Sequence, residues 1–536
     1  MIRSALLVLC ASAVIRASDP PPFDFDELMK KPPSRARDFA SLLFLRSSEP
    51  SNAQKRAVFY SIKSPKPPHF SAFLAQNKEL SKLAECRNVE SARLINVSDA
   101  CLSITLSAAR AESLSSADRL KIAEKVEAID PFKAAVFKAL AANNPLGAAA
   151  DDLDTFYSIA LGVSGAFLRK QSDFYFAPTA IAKLQTDSRF SAFLERLSQL
   201  DKNAKLLESV SAADESKLDF KGAFYLGVIR VMRGDLKNAL KAFERAEAKA
   251  ASRYEKDRAL FWLYLTSKND VYLYRLYSSR EINFYTLYSR LKNNRPMPTI
   301  VTEIPASKTA KAIYDDKQLF DPFFWGELSK KIADRDAMAL KTEMDKLGHK
   351  NAEPYRAAIA YALATDNAPI YYLNPYPDAL TDLSIDELAT TLAIMRQESR
   401  YIPAALSTSY AVGSMQMMPF LIEAMTKERK DKSDVWSFFD PYRQAPYAIG
   451  HIRWLRGKLK NPLFVAYAYN GGLGFTTRTI EGYKLFQKGE FEPFLSMERM
   501  PIEEPREYGK SVLTNYAIYR SLLGAPIVID SLLETK

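Results

Sequence analysis

Histidine is nearly missing from this chain: His69, His349 and His451 are the only three in 536 residues. None stands near another histidine or a cysteine at ligand spacing, so a metal centre is excluded and no cofactor is implied. Beyond the N-terminus no apolar run approaches the length of a membrane span. No dense basic run with interleaved aromatics occurs either, so the net charge of +11 does not mark a nucleic-acid binder and suits an anionic polymer or lipid instead. Alternating period-two runs and hairpin dipeptides are absent from the long middle of the chain, so strands are not expected there. Cysteine is scarce too, with Cys10, Cys86 and Cys101 alone.

What is present is ordinary globular material. An apolar content of 47% with 26% charge excludes disorder, and the length implies about three to four domains. Arg3, the apolar stretch from Ala5 to Val14, and the small-residue sites Ala11-Ser-Ala13 or Ile15-Arg-Ala17 read as a secretory signal over residues 1–17. Leu9 before Cys10 argues against lipidation. The mature chain is therefore expected to be exported and not membrane-spanning. Once Cys10 is removed, Cys86 and Cys101 are either a disulfide, as an oxidising compartment favours, or two buried thiols.

From about Ala36 to Asp366 the sequence reads as short amphipathic helices punctuated by Pro, Gly, Asn and Asp. Gly222 to Thr266 is the clearest unit. One helix carries Phe224, Tyr225, Val228 and Val231, Arg233-Gly-Asp235 turns, and a second carries Leu236, Ala239, Leu240 and Phe243. That is close to a tetratricopeptide-like pair, but the period is not kept elsewhere, so the expectation is an irregular α-solenoid. The aromatics from Tyr272 to Tyr288 fall at helical spacing and read as core rather than as a glycan-stacking surface. Between Asp366 and Leu383 the helical period is lost and Pro369, Pro375 and Pro377 appear, which marks the last domain boundary.

The stretch from Ser384 to Pro419 organises the rest. Ser384 and Glu387 form a capping box, apolar residues recur at Leu388, Leu392 and Met395, and Pro403 disfavours further helix. Glu398 thus falls at the C-terminal end of a buried helix. Desolvation and the negative end of the helix dipole both disfavour its charged form, which suits a general acid.

Three runs stand in order: Arg396-Gln-Glu-Ser399, Gly413-Ser-Met-Gln-Met-Met-Pro419 and Ala468-Tyr-Asn-Gly-Gly472. With a later Glu before a tyrosine-containing helix, they resemble the soluble lytic transglycosylases. That family's pattern is an E-S pair, a G-L-M-Q-x-M-P loop, an A-Y-N-A-G segment and the later Glu. Ser414 replaces the usual Leu, and Gly471 a frequent Ala. The resemblance implies a mainly all-α protein: an α-superhelical domain over 18–290, a helical linker domain over 291–367 and a goose-lysozyme-like catalytic domain over 368–536. It also implies a periplasmic enzyme acting on peptidoglycan glycan strands. In that reading Glu398 is catalytic, and Ser407, Gln416, Met418, Tyr469, Asn470, Glu498 and Tyr508 support the acid or bind substrate.

Ordinary glycoside hydrolysis needs two carboxylates, yet no Asp or Glu occurs between Glu398 and Glu423. Glu423 and Glu428 read as residues of a solvated helix. The resemblance accounts for the gap: Glu398 protonates the glycosidic oxygen, then takes the proton from the sugar's own C6 hydroxyl, giving a 1,6-anhydro ring without water. The alternatives are a lysozyme-type hydrolase, which would need a second carboxylate, and an inactive wall-binding scaffold, which would not need Glu398.

Overall fold

The computed structural model describes residues 21–74, 86, 89–98, 101–102, 105–364, 369–528 and 532–534. The signal expected over residues 1–17 lies outside these. The protein is mainly all-α. Its one ladder among the described residues is a two-residue parallel pair, Ile300–Val301 against Ile370–Tyr371. The chain divides into two compact units, each assembled from separated stretches: 1–79, 297–469 and 511–527 in the first, and 80–296, 470–510 and 528–536 in the second.

In the first unit the N-terminal helices are set by local caps. Ser34 accepts from the amide of Arg37 to start Arg35–Arg46, and Ser51 with Gln54 closes a capping box on Asn52–Ser61. Their apolar faces meet in a core of Leu28, Ala40, Phe44, Leu45, Val58 and Phe73, and Trp436, from far along the chain, packs on it. A second core joins Leu319, Leu328, Leu340, Tyr355 and Ile359 to Ile402. Helices expected in the superhelical and linker blocks therefore share cores with the segment that follows Glu398.

The proline-rich interval expected to be a boundary lies inside this unit. Tyr372 and Tyr376 are buried. The Tyr372 hydroxyl donates to Asn515 Oδ1 (3.0 Å), the Tyr376 hydroxyl to the carbonyl of Tyr401 (3.0 Å), and the amide of Leu373 to the Tyr401 hydroxyl (3.1 Å). Loss of helical period marked irregular backbone correctly, but irregular backbone can be buried when its polar groups find partners.

The second unit contains the helix pair read from Gly222 to Thr266, as Phe220–Met232, Leu236–Lys249 and Arg253–Ser267. Gly234, at φ +80, makes the turn, and Asp235 caps the next helix through the amide of Asn238. At Gly227 a Cβ would stand 2.5 Å from the ring of Phe243, so glycine sets the close approach of these two helices. Phe284, Tyr285 and Tyr288 are core, whereas Tyr274 is exposed. Cys86 and Cys101 are joined in a disulfide with their Cα atoms 5.2 Å apart. Residues 470–510 also belong here: Phe494 packs edge-on to Phe261 (5.0 Å), and Arg499 Nε donates to the carbonyl of Ser198 (2.8 Å). No described helix is long and apolar enough to cross a membrane.

Candidate active site

Glu398 lies in the last turn of Ile385–Ser399, half-buried, after the buried run Ala389–Met395. The turn is pinned by its neighbour Arg396. Nε of that residue donates to the carbonyl of Tyr371 (2.8 Å) and Nη1 to Asn515 Oδ1 (3.0 Å), while its guanidinium sits 4.1 Å from the centre of the Tyr372 ring. Arg400 and Tyr401 both take left-handed backbone, at φ 52 and 69, which ends the helix and reverses the chain.

The reversed chain returns beside the acid as a tight loop. Val412 and Met417 exchange amide–carbonyl bonds (2.9 and 3.0 Å) across the Gly413 turn. Ser399 Oγ donates to the carbonyl of Ser414 (2.8 Å), tying the loop to the residue after Glu398. Gln444, fully buried on the helix Pro441–Leu459, holds the loop from behind. Its Oε1 accepts from the amide of Met415 (2.9 Å) and the hydroxyl of Ser414 (3.1 Å), and its Nε2 donates to the carbonyl of Val412 (2.7 Å). Ser414, the departure from the usual Leu, thereby gains a partner. Gly413, at φ +78, is required twice: a Cβ there would also stand 2.3 Å from Gln444 Nε2.

The Tyr469 hydroxyl donates to the carbonyl of Met415 (2.8 Å). Burial, and after it the charge of Glu398, push the phenol well above its ordinary range. Tyr469 therefore stays protonated, within electrostatic reach of the acid. Behind it the His451 ring lies 5.8 Å away, and the Trp454 ring stacks on His451 at 5.7 Å.

The N-terminal helices frame the same loop, and no local signal in the sequence announced it. Arg35 Nη1 donates to the carbonyl of Leu406 (2.8 Å) and Lys66 Nζ to that of Thr408 (2.5 Å). Tyr410 stacks on Phe39 (5.3 Å) with Lys66 Nζ over its ring (4.6 Å), and its hydroxyl lies 3.3 Å from Nε2 of the buried His69.

Of the residues expected to serve the site, Glu398, Ser407, Gln416, Met418 and Tyr469 lie in the first unit, and Asn470, Glu498 and Tyr508 in the second. Ser407 Oγ accepts from the amides of Ser409 (3.1 Å) and Ala411 (2.9 Å), so it shapes the loop. Gln416, at φ 46, spends its amide on the carbonyls of Gly413 (2.7 Å) and Ala405 (3.1 Å). Met418 is half-buried at the start of Pro419–Glu428. Tyr508 is buried. Glu423 is half-buried and within electrostatic reach of Arg46, so of the two acids on that helix only Glu428 is exposed.

Glu498 differs from the expectation of sugar contact. Its side chain is 2% exposed, paired with Arg258 and with Lys510 (3.0 Å), and accepts from the hydroxyl of Tyr285 (2.8 Å). Burial pushes this carboxyl up, but Arg258 and Lys510 outweigh that and hold it below the ordinary carboxylate range. A carboxylate so enclosed anchors helices and has no face for a sugar. The acid that meets a motif residue is Glu504, exposed, whose Oε1 accepts from Asn470 Nδ2 (3.4 Å). The Glu503–Glu504 pair in the first turn of the last helix is the local signal that could have pointed there. At Gly471 an added methyl would come within 2.7 Å of the Phe475 ring, which accounts for glycine in place of alanine.

Residues 382–491 match the family model described as the Transglycosylase SLT domain. The chain carries a transglycosylase SLT domain. Glu398, the loop and Tyr469 all lie inside the matched residues. The match stops short of Glu498 and Tyr508. No curated protein matches the sequence. Among solved structures the chain is similar to an inactive mutant of the lytic transglycosylase Slt from Pseudomonas aeruginosa, at 14% identity over 94% of this chain and 84% of that one, TM-score 0.50. It is also similar to the 70 kDa soluble lytic transglycosylase of Escherichia coli (15% identity, 95% and 91%, TM-score 0.42). A third match is a complex of the 70-kDa soluble lytic transglycosylase with bulgecin A (14%, 94% and 83%, TM-score 0.48). At such identity the likeness to the Pseudomonas enzyme speaks to the fold alone.

Proposed function

We propose that this chain is an exported, periplasmic enzyme that cleaves the bond between N-acetylmuramic acid and N-acetylglucosamine in peptidoglycan and leaves a 1,6-anhydro end. Glu398 protonates the glycosidic oxygen as the C–O bond breaks, and the neighbouring N-acetyl group assists at the anomeric carbon. The C6 hydroxyl then attacks that carbon and gives its proton to Glu398, which restores the acid. No water is consumed, so no second carboxylate is needed. The observation that carries this reading is the isolation of Glu398 in its sequence frame: a half-buried acid beside a loop with no Asp or Glu up to Glu423. Tyr469, within electrostatic reach of it, is held protonated and already donates to Met415.

Export is supported by the N-terminal signal pattern and by the Cys86–Cys101 disulfide, which belongs to an oxidising compartment. Product mass from digested sacculi tests the chemistry, because hydrolysis adds a water and anhydro-ring formation does not. Glu398→Gln keeps shape but cannot donate the proton, and losing general acid catalysis lowers the rate roughly 10²–10⁴-fold. Parental rates in that variant, or products ending in a reducing hydroxyl, overturn the mechanism.

A further inference from the structure

We propose that His451 and Trp454 form a saccharide-stacking platform that holds the glycan strand beyond the position occupied at Glu398. The proposal rests on the glycan-cleaving reading above. Both residues lie on Pro441–Leu459 one turn apart, with ring centroids 5.7 Å apart and planes at 20°. His451 also neighbours the Tyr469 ring, at 5.8 Å, and Tyr469 lies within electrostatic reach of Glu398. The three rings thus adjoin one another in sequence, from Tyr469, within electrostatic reach of Glu398, to Trp454, which is 49% exposed. The buried face of this helix is a different one, through Ala448, Ile452 and Leu455.

A single exposed tryptophan needs no explanation. Here its surroundings supply one. The indole stacks on His451 while about half of its surface stays open. The cations on either side are engaged elsewhere: Arg453 Nε with Glu387 (2.6 Å) and Arg456 Nη1 with the hydroxyl of Thr390 (2.9 Å). Burial lowers the pKa of His451, so the ring beneath the indole is uncharged. A flat apolar face, half exposed and stacked on a ring that adjoins Tyr469, suits the C–H face of an N-acetylated hexose.

The test uses the full chain with Trp454→Ala, Trp454→Phe and His451→Phe, measuring KM and kcat on long peptide-free glycan strands and on a short fragment spanning one scissile bond. Trp454→Ala is expected to raise KM on long strands about three- to tenfold more than on the short fragment. Trp454→Phe should recover most of that loss, and His451→Phe, which keeps a flat ring under the indole, should leave the KM ratio near parental. A second arm puts Trp454→Ala into the Glu398→Gln background and measures strand binding by co-sedimentation, where the same loss is expected without turnover. Equal KM ratios, or equal binding in the second arm, overturn the platform. An active Glu398→Gln protein overturns the catalytic reading instead, and the binding arm still decides the platform.

Discussion

Replacing Gln444 by alanine is the most searching test of how the loop beside Glu398 is built. The side chain is fully buried and satisfies the amide of Met415, the carbonyl of Val412 and the hydroxyl of Ser414. Alanine removes all three partners at once. A buried polar group left unpaired costs about 1–3 kcal/mol. The Ser414 hydroxyl can rotate to another acceptor, which leaves two firmly orphaned backbone groups and a cavity. The expected loss is about 3–5 kcal/mol. Because Ser399 and Tyr469 both bond to this loop, its shift should also move the groups facing Glu398, and a displacement near 1 Å can cost about 10²-fold in rate. Gln444→Glu keeps the acceptor for Met415 but loses the donor to Val412, so it should fall between. Urea unfolding followed by tryptophan fluorescence suits the question, since Trp325, Trp436 and Trp454 all lie in the first unit. A loss below about 1 kcal/mol with parental kcat would refute the account of the loop as held from behind.

Glu498→Gln should destabilise the second unit by about 3–5 kcal/mol, because it leaves Arg258 and Lys510 buried beside a neutral amide; a chemical-denaturation midpoint close to the parental one would contradict the anchoring role. The same carboxyl is held below its unfolded value of about 4.3, so its stabilising contribution is complete above that pH and fades as the pH falls below it, and Glu498→Gln should flatten the acid limb of the stability profile. A fragment beginning at Ala368 lacks Arg35, Phe39, Lys66 and His69 and should be insoluble or inactive on glycan strands; parental activity in that fragment would make the N-terminal frame dispensable.

Local chemistry is legible in the order of the residues alone. The capping box of Ser384 and Glu387, the buried period through Met395 and the glycine turn at Gly413 each involve residues within a few positions of one another. Cap geometry and side-chain period act over that range, so the helix, its end and the acid it presents are all readable. The same holds for the helix pair around Gly234. What spacing could not show was which distant groups complete the loop. Arg35 meets Leu406 across 371 positions, and Gln444 meets Val412 across 32, neither with any periodic signature. Nor could motif order alone separate Glu498 from Glu504. Both are glutamates close to the start of the last helix, and only packing put the first among Arg258, Lys510 and Tyr285 and left the second in solvent beside Asn470. Burial of a charge is a property of everything that surrounds it, and for Glu498 the partners Arg258 and Tyr285 lie more than two hundred positions earlier in the chain.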